Sequence, residues 1–193
     1  MEHEVVPRCG ITPTILFISF MISEEQQIWL DHLDDTDQVK IIPYDETAEE
    51  KFHKVKRDIQ NFLGSEQIVE HRGASSLKIS GQNEIDIYVP IVASKFDELI
   101  ISITNLYGNP KSLYPLKRAR FTTLVEEKRI DIFVVNSEDH SWTDLNIFHN
   151  YLLSHPAELE NYRILKENLS GLSTRKYYQQ KIEFINDILA RAN

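Results

Sequence analysis

Two acids alternate with isoleucines at Glu84-Ile85-Asp86-Ile87, and a third acid stands between apolar neighbours in Arg129-Ile130-Asp131-Ile132-Phe133. In an extended strand, residues two apart point the same way. Glu84 and Asp86 then present both carboxylates on one face while Ile85 and Ile87 turn into packing. Carboxylates that close repel, and burying them costs free energy unless a cation meets them. A hard divalent cation, magnesium or manganese, resolves the repulsion. Magnesium takes oxygen ligands and commonly keeps waters and substrate phosphates in its shell. If the strand carrying Asp131 lies beside the first, Glu84, Asp86 and Asp131 converge at one sheet face as metal ligands suited to in-line attack at phosphorus.

The turn Gly73-Ala74-Ser75-Ser76, a short way before the acid pair, supplies a second part. Small residues let backbone N–H groups approach an anion, and the hydroxyls of Ser75 and Ser76 can donate to phosphate oxygens or simply cap a following turn. Lys117, Arg118 and Arg120 form the one basic cluster. At the active face they would reach nucleotide phosphates, Arg with a fixed fork and Lys as a mobile point charge. Each has a plainer reading. Alternating acids are most often the wet face of an edge strand, a turn glycine is often only a turn, and His71 reads as a satisfied structural histidine.

The elements that must position these residues follow from periodicity and caps. Residues 23–33 read as a short helix capped by Ser23, with Glu24 and Glu25 where negative charge suits the helix dipole. Residues 39–43 read as a short strand. Thr47-Ala48-Glu49-Glu50 has the form of a capping box, followed by Phe52, Val55, Ile59 and Phe62 at helical spacing up to Gly64. Residues 67–72 and 85–92 are strand-like, and a helix from Ser94 ends at Gly108. Pro110 and Pro115 mark a loop. Residues 121–125 and 130–135 pair as a hairpin, although no Asn-Gly or Asp-Gly turn joins them. Beyond Trp142 the pattern is helical throughout. The expected class is α+β: a mixed β-sheet with flanking helices and a helical C-terminal tail.

Bulk properties narrow the function classes. The 193 residues and 22.6 kDa fit one domain with a core of ordinary size. A net charge of -9 argues against binding nucleic acid or anionic membrane through counterion release. The apolar run ITPTILFISFMI, residues 11–22, falls far short of the roughly 20 residues a membrane span needs and lacks the flanks of a secretory signal. Residues 1–22 are expected to form a disordered or extended arm, with 23–193 as a single domain. The lone Cys9 can make no intrachain disulfide, which fits a reducing compartment such as the cytoplasm. Oligomeric state leaves no mark in the sequence.

The order of strand, glycine-serine turn and carboxylate pair resembles the signature of the nucleotidyltransferase superfamily, in which such a turn holds the triphosphate and three acids hold magnesium. From Val39 to Ala192 the chain is also similar to the GrpB family, a nucleotidyltransferase-like group of small bacterial proteins. The matching pieces are Ile42-Pro43-Tyr44-Asp45, Val69-Glu70-His71-x-Gly73-x-Ser75-Ser76, Ile85-Asp86-Ile87 and a C-terminal run. That run contains Phe148-His149-Asn150-Tyr151-Leu152-Leu153-x-His155-Pro156, Tyr162-x-x-Leu165-Lys166-x-x-Leu169 and Tyr178-x-x-Lys181-x-x-Phe184-Ile185.

The chain departs from that family at Glu84, where the family usually has an apolar residue. It departs again at Asp131-Ile132-Phe133, where the family tends to His-Leu-His; both changes move toward an acidic triad. Lys78-Ile79, with Gly81 later, replaces the Pro-Gly that typically follows the serine turn. The resemblance implies a magnesium-dependent nucleotidyltransferase fold and activity: a nucleoside triphosphate as substrate, an acceptor that the sequence does not identify, Glu84, Asp86 and Asp131 catalytic and metal-binding, and Gly73, Ser75 and Ser76 nucleotide-binding, to which the basic cluster adds Lys117, Arg118 and Arg120 as expected nucleotide-binding residues. The alternative is a non-catalytic nucleotide-binding or accessory interaction module on the same fold.

Overall fold

The computed structural model describes residues 22–192, so the expected N-terminal arm lies outside the described residues except for Ile22. In chain order the elements are α1 (Glu24–Asp31), α2 (Ala48–Leu63), β1 (Glu70–Arg72), α3 (Gly73–Ser76), β2 (Glu84–Ile91), a 3-10 turn (Ala93–Lys95), α4 (Phe96–Tyr107), β3 (Ser112–Tyr114), β4 (Arg118–Val125), β5 (Lys128–Asn136), α5 (His140–Ser154), α6 (Pro156–Asn168) and α7 (Thr174–Ala192). The α+β class is as expected from the sequence: one five-stranded mixed sheet, in the order β1-β2-β5-β4-β3, carries flanking helices and a helical C-terminal tail.

At the sheet centre β2 and β5 run parallel, while β1 pairs with β2, and β4 with both β5 and β3, in antiparallel fashion. Alternation along the strands divides the two faces. Ile85, Ile87 and Val89 of β2, Ala119 and Phe121 of β4, and Ile130, Ile132 and Val134 of β5 are all 0% exposed. They form one core with Phe52, Val55 and Ile59 of α2 and Phe96, Leu99 and Ile103 of α4. The opposite face carries Glu84, Asp86, Arg129 and Asp131.

A second cluster ties the tail to the site. Leu77 and Ile79, just after α3, are buried among Phe148, Leu152, Tyr162 and Ile188 of α5, α6 and α7. The connection from α3 to β2 is thus held to the helical tail by its apolar side chains.

Local expectations differ from the structure in four places. Residues 39–43 do not make a strand. Val39 bonds with Leu172 and Gly171 while Ile42 bonds with Gly81, so two separate partners each take one residue and no ladder propagates. The loop around Pro110 and Pro115 contains β3, a three-residue edge strand that fits between the prolines. Strand β1 is confined to its last three residues. The capping box at Thr47 does not close, because the Thr47 hydroxyl donates instead to Asp45 Oδ1 at 2.6 Å. The box forms at α1, where Ser23 and Gln26 exchange side-chain and backbone bonds. The hairpin of β4 and β5 is present and closes on Glu126 and Glu127, with φ of 50° and 64°.

Candidate metal and phosphate site

The parallel register sets Asp86 of β2 directly beside Asp131 of β5, two positions along from the Glu84 and Arg129 pair. Asp131 is 3% exposed and is held from two sides. The Thr122 hydroxyl, opposite it on β4, donates to Oδ1 at 2.8 Å, and Arg129 Nη2 lies 3.4 Å from Oδ2. Arg120 Nη1 approaches the same oxygen at 4.0 Å. Glu84 forms an ion pair with Arg129 through the same Nη2 that approaches Asp131, so one guanidinium stands between these two acids. Among the described residues, no group of three or more His, Cys, Asp or Glu is gathered as a metal-binding cluster. The structure thus brings Asp86 and Asp131 together and leaves Glu84 to Arg129. Two carboxylates completed by waters and substrate phosphates make a donor set that suits magnesium.

Asp86 behaves as a carboxylate in want of a cation. Its enclosure by protein pushes its pKa up to about 6, and the neighbouring Asp131 pushes the same way, against the pull of Lys181, Lys166 and Arg120.

The elbow formed by α3 meets this acid directly. Gly73 has φ of +73°, a region that costs residues with a Cβ, and a Cβ there would stand 2.0 Å from Asp86 Oδ2. Only glycine allows the turn to lie against the carboxylate. The serines are engaged within the protein. Ser76 Oγ donates to Gly73 O at 2.9 Å. Ser75 Oγ lies 2.9 Å from His71 Nε2, and His71 Nδ1 lies 3.0 Å from Glu49 Oε2. Burial lowers the His71 pKa, which favours the neutral ring. A carboxylate can only accept, so Nδ1 carries the proton and Nε2 accepts from Ser75. His71 also stacks on Phe52, with centroids 4.8 Å apart, on the face opposite the acids. A phosphate must therefore draw Ser75 away from His71 to receive its proton.

The basic cluster is divided by the fold. Arg120 reaches the acids, whereas Arg118 lies over the rings of Phe133 and Tyr114 at 5.8 and 5.3 Å from their centroids. Lys117 is turned outward to Glu25 of α1 at 3.3 Å. Phe133 stacks on Tyr88 at 4.7 Å, and Tyr88 adjoins Trp142, over which Arg72 sits. The ring faces in this row are taken up by one another.

Sequence reasoning passed over Lys166 and Lys181, which α6 and α7 bring to the vicinity of Asp86. The signal was present: each follows a tyrosine, Tyr162 or Tyr177, by four residues on the inward stripe of its helix, where an ammonium group needs a reason.

Comparison with known proteins accords with this architecture. The profile of the family described as GrpB protein matches residues 38–191. The crystal structure of conserved protein GrpB from Enterococcus faecalis is similar to the chain, with 20% identity and a TM-score of 0.59 over 79% of this chain and 96% of that one. That likeness shows a shared fold. No curated protein matches the chain. Among the described residues, no helix is long and apolar enough to cross a membrane.

Proposed function

The chain belongs to the GrpB family, and from that premise we propose that it is a magnesium-dependent nucleotidyltransferase, moving a nucleoside monophosphate from a triphosphate to an acceptor hydroxyl with pyrophosphate as the leaving group. The reading is carried by Asp86 and Asp131 standing side by side on adjacent parallel strands with Gly73 pressed against Asp86. It is supported by the resemblance of the glycine-serine turn and the acids to the nucleotidyltransferase signature. Asp86 and Asp131 would hold magnesium or manganese, which when bound supplies charge neutralisation to the phosphates.

The protein's own part is positioning and electrostatics. Arg120 lies at the acids, 4.0 Å from Asp131 and partly exposed, where its guanidinium would pair with a phosphate oxygen, and Thr122 fixes the orientation of Asp131. Asp131 would accept the acceptor's proton. Glu84 would join the site only when Arg129 exchanges it for a phosphate oxygen, so Arg129 acts as a counter-charge that substrate binding displaces. A binding module without catalysis is the second reading, favoured by that same diversion of Glu84 onto Arg129.

Calorimetric titration of ATP with and without magnesium separates the two. For the enzyme, magnesium tightens ATP binding by about tenfold or more, and Asp86→Asn together with Asp131→Asn removes the tightening while the melting temperature holds. ATP binding indifferent to magnesium would support the module. Absence of any nucleotide binding would end the enzyme reading and leave, of the second, only an accessory interaction module.

A further inference from the structure

Two lysines on the C-terminal helices face the acid site without contacting it. Lys166 of α6 is 4% exposed; its Nζ donates to Ser80 O at 2.9 Å and lies 5.5 Å from the Tyr162 ring centroid. Lys181 of α7 sits over Tyr178 at 5.2 Å from its centroid and hydrogen-bonds with the Tyr162 hydroxyl. Of the charges acting on Asp86, Lys181 is the strongest, ahead of Asp131, Lys166 and Arg120. Among the described residues, however, no ion pair joins either lysine to Asp86. The Tyr177 hydroxyl, on a residue 0% exposed, has no hydrogen-bond partner, and Lys181 is the charge it senses most. Gln82 closes one side by accepting from Tyr178 at 3.3 Å.

Burial and the charge of Lys181 lower the Lys166 pKa to about 7, and Asp86, out of contact, only partly offsets that cost. An unpartnered phenol beside them adds a donor with nothing to bind. An anion placed between the lysines and Asp86 satisfies all three, provided it can also share a cation with Asp86. Condensed phosphate meets both demands, since it is multiply charged, has oxygens on several sides and binds divalent metal. Point-charge lysines suit its tetrahedral oxygens, whereas a planar carboxylate is better matched by the fork of arginine.

We propose that Lys181, Lys166 and Tyr177, which helices α6 and α7 bring near Asp86 of β2, bind a condensed phosphate. In a nucleotidyl transfer this is the pyrophosphate portion of the triphosphate. The assignment to pyrophosphate rests on the proposed function; the anion site does not.

Inorganic tripolyphosphate is the probe, titrated calorimetrically into the full chain with and without magnesium. Lys181→Met is expected to weaken binding by about 10- to 100-fold, and Lys181→Arg to restore most of it. Lys54→Gln, on the exposed side of α2, should leave it unchanged. In the unmutated protein, tripolyphosphate should also protect Lys181 from reductive methylation, read by peptide mass spectrometry, which removes dependence on the folding of any variant. Absence of tripolyphosphate binding, undiminished binding in Lys181→Met, or no protection of Lys181 would overturn the site. If magnesium-dependent ATP binding survives that failure, the proposed function stands without it. Tripolyphosphate binding that needs Lys181, in a protein that does not bind ATP, would retain the anion site and remove the nucleotidyl reading.

Discussion

Gly73 and Asp86 occupy the same few cubic ångströms, and each constrains what the other position can be. Replacing Gly73 with alanine forces a Cβ into Asp86 Oδ2 while holding φ at +73°. The left-handed conformation alone costs roughly 1–2 kcal/mol, and the clash adds to it. Gly73→Ala should therefore lower the denaturation midpoint and also abolish magnesium-dependent nucleotide binding, because relief of the clash must move either the elbow or the acid. A Gly73→Ala protein with wild-type stability would mean that the turn does not rest on Asp86. At this scale the sequence was informative: the glycine and the acid were legible as types and as an order along the chain. Their mutual contact was not, since nothing in the spacing says that residue 73 lies against residue 86. The occupation of Ser75 by His71 was also hidden, as it depends on Glu49 arriving from a helix more than twenty residues away.

The hairpin of β4 and β5 was readable from apolar alternation, but its turn was not. Two glutamates hold positive φ at the tip, where asparagine and glycine would rest without strain. The strand register, set by Phe121 opposite Ile132 and Thr122 opposite Asp131, imposes this on them. Glu126→Asn with Glu127→Gly should raise stability by about 1 kcal/mol, seen as a higher urea midpoint at unchanged slope. Among the described residues, the ion pair the change removes is that of Glu126 with Lys54 at 4.0 Å, an exposed pair of small worth. A lowered midpoint would show that the glutamates serve the turn in some other way. Residues 39–43 teach the converse lesson. Their composition suits a strand, yet strand formation needs a continuous neighbour, and this segment meets two different loops.

For the molecule as a whole, His149 reports on the docking of the helical tail. It is 7% exposed on α5, and burial, followed by the charges of Arg72 and His71, lowers its pKa to about 4 from 6.5. Between those values the unfolded chain binds a proton that the folded chain refuses, so stability falls as pH drops through the window. The full loss is about 3 kcal/mol by linkage. His149→Gln should flatten the fall in urea midpoint between pH 6.5 and pH 4; an unchanged slope would show that His149 does not titrate in the folded protein.

The sequence by itself determined the class of fold, most helices, the alternation that sorts β2 and β5 into a core face and an acid face, and the residue types capable of holding metal. Such features depend on local periodicity and on chemistry carried by single side chains. Only the tertiary structure decided which acids meet, that Arg129 takes Glu84, that Arg118 joins an aromatic row and that Lys166 and Lys181 approach Asp86. Those outcomes depend on strand order and on how α6 and α7 pack against Leu77 and Ile79 after α3, which are fixed by contacts between residues distant in the chain.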